Sequence, residues 1–365
     1  MKTFVEGPKV SVSSKIFKII LNRLNHFIAR KNILNYPQLV IFSFDHIGLS
    51  INMEGRYENS PLRLVEKFIH DKLPNAQDQV LLDIGANIGN HSVFFSSMFK
   101  KIYAFEPNPV TYEVLRINSE YASNNKNIEH FNFGLSDAED TLPFYVNSSN
   151  IGGSAIVSKD YNSSDTISVS VKQLDDIREI KNEFISLIKI DVEGHELNVL
   201  RGAKKTLTKN MPAILFEQQA SEIHDGSSEV INFLKELGYE FYVTKKNFYF
   251  GEAIISKIIS LVLRSIFGER SDFVTVEKFQ NVFYDMILAI PKSKWVNVLP
   301  AIISQIATCG SYCKNAYIAN PSYKELAKEE TTKLARLEAI AAKVVEDFVT
   351  HKFHIFFNSP ETYAL

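Results

Sequence analysis

Val80-Leu81-Leu82-Asp83-Ile84-Gly85-Ala86-Asn87-Ile88-Gly89-Asn90 is the stretch on which the fold turns. Val80, Leu81, Leu82 and Ile84 read as a buried strand interrupted by Asp83, apolar with no helical period. Gly85 to Gly89 turn sharply, and from Asn90 a helix begins with Val93, Phe94 and Phe95 on its apolar side. Strand, glycine turn and helix open an α/β sheet, where ligands settle at the carboxyl ends of the strands. Glycine suits such a turn because it accepts positive φ and lets backbone approach a ligand closely.

The turn alone leaves the ligand open. A dinucleotide fingerprint needs G-x-G-x-x-G, and position 87 is Asn. The next strand, Lys101-Ile102-Tyr103-Ala104-Phe105, ends in Glu106-Pro107-Asn108-Pro109. An acid at that strand tip, about 20 residues on, is placed to hydrogen-bond a ribose diol, which serves NAD and S-adenosylmethionine alike. The plainer alternative is that Glu106 caps the following helix.

Outward from this core, residues 39–44 and 48–51 read as two short strands across a turn at Asp45-His46, and residues 62–70 as a helix. Residues 128–135 read as a third strand ending in Ser136-Asp137. Strict alternation over 167–171 suggests a half-exposed antiparallel piece inserted between parallel strands. Leu187-Ile188-Lys189-Ile190 delivers Asp191-Val192-Glu193-Gly194-His195-Glu196 at its tip, and Ala213-Ile214-Leu215-Phe216 delivers Glu217. Residues 239–243 and 282–290 supply two last strands, separated by an apolar insertion over 254–267. Beyond Pro300 the composition shifts, and residues 323–349 read as a long helix rich in Ala, Lys and Glu.

The bulk properties narrow the class. With 365 residues, 45% hydrophobic and 22% charged, the chain has the make-up of a globular protein. Its net charge of -2 at pH 7 supplies no general attraction to nucleic acid. The two cysteines, Cys309 and Cys313, cannot alone furnish a structural zinc site, and a reduced cytoplasmic protein is the simplest expectation. No apolar run of about 18 residues is present to cross a bilayer. Residues 16–28 form an amphipathic pattern flanked by Lys15, Arg30 and Lys31. It reads either as a helix packed on the protein's own core or another subunit, the reading favoured here, or as a peripheral contact at the inner face of a membrane.

The ordered blocks Leu82 to Gly89, Phe105-Glu106-Pro107 with Leu115 and Asn118, Ser136-Asp137, Gln173-Leu174-Asp175-Asp176, and Ile188 to Glu196 continuing to Leu200-Arg201-Gly202-Ala203 resemble the FkbM-type methyltransferases, a branch of the class I S-adenosylmethionine-dependent fold. The resemblance covers roughly residues 55–290. It implies an α/β, Rossmann-like sheet, mostly parallel with an antiparallel last strand, carrying helical N- and C-terminal extensions. The expected organisation is an N-terminal helix and strand hairpin over 1–54, a methyltransferase domain over 55–300 with an insertion near 250–275, and a helical extension over 301–365, a candidate dimerisation element.

The family is associated with O-methylation of hydroxyls on sugars, glycolipids and polyketides, so the resemblance implies S-adenosyl-L-methionine as cofactor and a glycan or glycolipid acceptor. It places Gly85, Asn87 and Gly89 against the methionine part and ribose, Asp83 near the ammonium end, Glu106 on the ribose hydroxyls, Asn108 beside the adenine and Asp137 at the adenine amino group. A neutral hydroxyl needs a general base as the new bond forms. Asp191, Glu193, His195, Glu196 and Glu217 are the candidates at the fourth and fifth strand tips; His195 has the best-matched ordinary pKa but, with Glu196, also reads as the exposed first turn of a helix. The alternative reading of Asp191, Glu193 and Glu217 is as oxygen ligands for a divalent cation, which no spacing in the sequence enforces. Residues 152–154, Gly-Gly-Ser, fall in an inserted loop over the same face, a lid or a plain hairpin. The competing functions are an NAD-linked oxidoreductase, disfavoured by Asn87, and a non-catalytic membrane-surface adaptor, disfavoured by the clustered acids.

Overall fold

The computed structural model describes residues 11–292 apart from 74, 162, 248–253 and 269–270. In chain order its strands are β1 (Val80–Ile84), β2 (Lys101–Phe105), β3 (Ile128–Phe131), β4 (Gly134–Leu135), β5 (Asp140–Tyr145) and β6 (Ala155–Ile156). They continue with β7 (Thr166–Lys172), β8 (Ile185–Ile190), β9 (Ala213–Gln218), β10 (Tyr239–Lys246), β11 (Ser271–Val276) and β12 (Tyr284–Pro291). The helices are α1 (Val12–Asn35), α2 (His46–Glu54), α3 (Asn59–Lys72), α4 (Asn90–Phe95) and α5 (Pro109–Tyr121). After them come α6 (Glu196–Gly202), α7 (Lys204–Asn210), α8 (Glu229–Glu236) and α9 (Ile254–Phe267).

Among the described residues the main sheet runs β11-β10-β12-β9-β8-β1-β2-β3. β3, β2, β1, β8 and β9 are parallel neighbours, and β12 lies antiparallel between β9 and β10. This is the mostly parallel sheet with an antiparallel last strand that the sequence implies. Every residue of β1 and β8 is buried, as central parallel strands must be when helices cover both faces. Leu82 stands opposite Tyr103 on one side and Ile188 on the other, and all three are at most 1% exposed. Connections leave β1 toward β2 on one side, while β8 pairs on the other. That reversal opens a crevice beyond the carboxyl ends of these strands.

Several local expectations are corrected. Residues 48–51 are not a strand; they lie in α2, and 39–42 form no strand in the structure. Ile47, Leu49 and Ile51 alternate in a way that suits a strand, but the Asp45 side chain accepts from the Ile47 N–H and Gly55 closes the other end in the left-handed conformation. The third strand divides: β3 stays in the main sheet, while β4 joins a second sheet of order β4-β7-β5-β6. At the break, Asn132 Nδ2 donates to the carbonyls of Glu106 (3.0 Å) and Pro107 (3.2 Å). β7 is antiparallel to β5 as its alternation suggests, yet it sits in that second sheet and not between the parallel strands. The apolar insertion is α9, and β11 after it pairs antiparallel with β10, a strand absent from the sequence reading.

α1 forms where the amphipathic pattern lies, but none of its residues is buried, so it does not pack into the protein's own core. No described helix is long and apolar enough to cross a membrane. Residues 293–365, with Cys309, Cys313 and the C-terminal helix, lie outside the described residues.

Candidate active site

The glycine turn after β1 is fixed by backbone conformation and close contact. Gly85 has φ 73°, and a Cβ there would lie 1.8 Å from the Asp191 carbonyl oxygen. Asn87, two residues on, holds φ 50°, a region few non-glycine residues occupy, with its Oδ1 accepting from the Ile88 N–H (2.7 Å). The Asn87 N–H donates to Glu106 Oε2 (3.0 Å), and the Asn108 N–H to Oε1 (2.9 Å). Glu106 is thus clamped at the tip of β2, 6% exposed. Burial pushes its carboxyl up to about 7, against the two backbone donors that favour the charge. Asn108 is the N-cap of α5, accepting from the Val110 N–H (3.1 Å), with Pro109 in the first turn behind it.

Below this turn lies a buried charge network. Lys189, near the carboxyl end of β8, donates Nζ to the Gly85 carbonyl (2.7 Å) and pairs with Asp83 (3.3 Å) and Asp191 (3.4 Å). Burial opposes its charge, but Asp191 and Asp83 outweigh burial and hold it above the usual lysine value. Asp83 also accepts from Ser92 Oγ (2.5 Å) and is wholly buried, so it ties β1 to α4 and β8 and lines neither of the two cavities described next.

Two cavities open at the strand ends. The first is lined by Gly85, Asn87, Glu106, Asn108, Asp191 and Glu193, with Gly134, Leu135, Phe144 and Ile156 of the second sheet and the loop residues Ile151, Gly152 and Ser154. That loop is held by the Ile151 N–H, which donates to Asp45 Oδ1 (2.9 Å). The inserted loop therefore walls the first cavity. The second is lined by Glu58, His91, Lys189, Asp191, Glu217 and Asp285 over an apolar floor of Leu62, Phe95, Leu215, Phe216 and Met286. Among the described residues, Asp191 is the one that lines both.

Asp191, Glu193 and Glu217 bring carboxylate oxygens within 4.8 Å of one another, a spacing that also suits a divalent cation. Glu193 holds φ 52°, and Glu196 Oε1 accepts from the N–H groups of Val192 (3.3 Å) and Gly194 (3.2 Å), so the chain after β8 is wound tightly. The crowding has electrostatic consequences. Burial first, then Asp191, raises Glu193 to about 7. Burial, then Asp191, Glu193, Glu196 and Glu58, raises Glu217 to about 9.

Glu58 and His91 were not singled out from the sequence. Glu58 precedes α3 in the left-handed region (φ 53°) and faces His91 Nε2 at 3.1 Å. Burial alone would raise it, but His91, with Lys189 and Lys246, keeps its carboxylate below the usual value. The sequence Gly55-Arg56-Tyr57-Glu58 ahead of the helix says nothing about where that helix packs. Lys189 had a plainer signal: a lysine inside an otherwise apolar strand needs partners.

Three further sequence candidates stand elsewhere. His195 Nε2 bonds Ser136 Oγ (2.9 Å), whose hydroxyl also reaches Asp137 Oδ1 (3.2 Å). Burial lowers His195, with Asp137 pulling the other way. Neither His195 nor Asp137 lines either cavity, and Asp137 is exposed with its carbonyl bonded by Gln173. Gly89, at φ 86°, caps α4 and backs onto Leu115, outside both linings.

A mostly parallel sheet with the antiparallel β12 inserted between β9 and β10, and a glycine turn facing a clamped acid, define a class I methyltransferase fold. Residues 83–241 match the family of the methyltransferase FkbM domain. A protein of Haloferax volcanii named hexuronic acid methyltransferase AglP is 33% identical over 174 residues, covering 47% of this chain and 67% of that one. A protein of Sinorhizobium fredii named 2-O-methyltransferase NoeI is 30% identical over 166 residues, covering 41% of this chain and 67% of that one. Among solved structures, a methyltransferase FkbM of Methylobacillus flagellatus aligns at 20% identity and TM-score 0.29, covering 39% of this chain and 33% of that one. The chain belongs to the FkbM methyltransferase family, and it is an enzyme.

Proposed function

We propose that this enzyme transfers a methyl group from S-adenosylmethionine to a hydroxyl of a sugar in a glycan or glycolipid. The observation that carries the reading is Asp191, shared by the two cavities, so that a donor in one and an acceptor in the other would meet beside it. The first cavity fits an adenosyl group. Each Glu106 oxygen accepts one backbone N–H and retains a lone pair for a ribose hydroxyl, and Gly85 and Asn87 present backbone to the ligand. S-adenosylmethionine supplies a methyl already activated on a sulfonium, so the protein's part is to align the hydroxyl and accept its proton.

Glu193, at about 7, is the carboxylate best matched to accept that proton near neutrality, with Asp191 orienting the hydroxyl. Glu58, whose carboxylate is kept below its usual value, repels a carboxylate on the substrate, while Glu217 and Asp285 offer hydrogen-bond partners to further hydroxyls. A neutral or amine-bearing sugar therefore fits this chain better than a uronic acid. The approach of three carboxylates supports a second reading, in which a divalent cation polarises the hydroxyl.

Labelled S-adenosylmethionine incubated with a panel of neutral, amino and uronic-acid glycosides tests the reading. Label should enter a hydroxyl of a neutral or amino sugar, and Glu193→Gln should lower kcat on the order of a hundredfold with the acceptor KM little changed. Chelator should leave the rate unchanged; loss of activity restored by a divalent cation would favour the second reading. Transfer confined to uronic acids, or to nitrogen, would overturn the acceptor class.

A further inference from the structure

We infer that α1 is a docking helix for an anionic lipid bilayer, lying in the interface plane with its apolar stripe in the headgroup–acyl boundary. The helical period places Ile16, Ile20, Leu24 and Phe27 on one stripe with Phe17 and Leu21 beside it and Arg23 and Lys31 along it, while Lys15, Lys18, Asn22 and Asn25 lie on the opposite side with Ile19 among them. In a helix packed on its own protein that stripe would be the covered face. Here each of the six is more than half exposed, from 53% at Ile16 and Ile20 to 73% at Phe27. The helix joins the rest of the chain at its other end, where Asn32 Nδ2 donates to the Asn52 carbonyl (3.1 Å) and Arg56 lies over the Tyr36 ring (5.3 Å).

Charge selects the occupant. The helix sequence carries Lys15, Lys18, Arg23, Arg30 and Lys31 and not one Asp or Glu, within a chain whose net charge is -2. A second copy packed on the same stripe would bring Arg23 and Lys31 toward their own counterparts with no acid on the helix to pair them, which disfavours a homodimer through this face. A nucleic acid would use the cations but leave the large apolar side chains in water. An anionic bilayer uses both, since basic residues gather at its surface while Phe, Ile and Leu enter beneath. The helix is too polar to span, which fits a reversible surface contact. The inference needs neither the cofactor nor the acceptor, so it stands or falls apart from the proposed function.

The test is flotation of the full chain with phosphatidylcholine vesicles, with and without about a third phosphatidylglycerol. The protein should float with the anionic vesicles and stay behind with the neutral ones, and added salt should weaken the binding. Ile20→Asp with Leu24→Asp should weaken vesicle binding about tenfold or more while transfer to a soluble acceptor is kept. Lys15→Gln with Lys18→Gln should weaken it and reduce its salt dependence. Absence of flotation, equal flotation with neutral vesicles, or undiminished flotation of the Asp double variant would overturn the inference. So would displacement of α1 from vesicles by an oligonucleotide, or a dimer by light scattering that the Asp variant splits.

Discussion

At the residue scale the carboxyl of Glu217 reports the crowding at the strand ends. Burial and the neighbouring Asp191 and Glu193 hold it protonated in the fold up to about 9, whereas the ordinary value is 4.5. Between those limits the native state keeps a proton that the unfolded chain releases. Stability therefore falls as pH rises through that window, the reverse of a paired acid. Glu193 and Glu106, both near 7, act in the same direction. A melting-temperature profile should decline from about pH 5 to about pH 9, and Glu217→Gln should flatten its upper part. An identical slope in that variant would show the carboxyl is not held neutral. Lys189 is the counterweight, its charge balanced by Asp83 and Asp191 on either side.

At the scale of elements, Asp45 does two jobs that the sequence reading missed when it placed a strand hairpin there. One oxygen caps α2 through the Ile47 N–H (3.0 Å), and the other holds the Ile151 N–H of the loop walling the first cavity (2.9 Å). Asp45→Ala should cost about 1 kcal/mol for the cap and more for the second amide, measured by urea unfolding. S-adenosylhomocysteine affinity should fall several-fold with it; unchanged affinity would separate the loop from the ligand. The misreading has a physical cause. Ile47, Leu49 and Ile51 satisfy a period of two, and only the Asp45 and Gly55 ends distinguish the helix. The break of 128–135 into β3 and β4 was likewise invisible, because the apolar positions of a segment do not say which sheet its halves join. β1, β2, β8 and β9 were legible because continuous burial writes itself as continuous apolarity.

At the scale of the whole molecule, parallel strands gather their carboxyl ends on one edge, so acids far apart in sequence converge. That rule made Glu106, Asp191, Glu193 and Glu217 readable as one site before any coordinates. It could not reach Glu58, His91 or Asp285, which come to the second cavity through the packing of α3 and α4 and through the antiparallel β12. Asp137 and His195, named by the same rule, sit at neighbouring chain turns and both bond Ser136, outside the two cavities. Asp83, at the floor of the turn, serves the scaffold. The central claim is that the cavity between Gly85 and Glu106 receives an adenosyl cofactor. Calorimetric titration with S-adenosylhomocysteine, with NAD as the control, tests it most directly. Saturable binding of the first and none of the second is expected, with affinity about tenfold or more weaker in a folded Glu106→Ala variant. Binding of NAD instead, or equal affinity for S-adenosylhomocysteine in that variant, would contradict it.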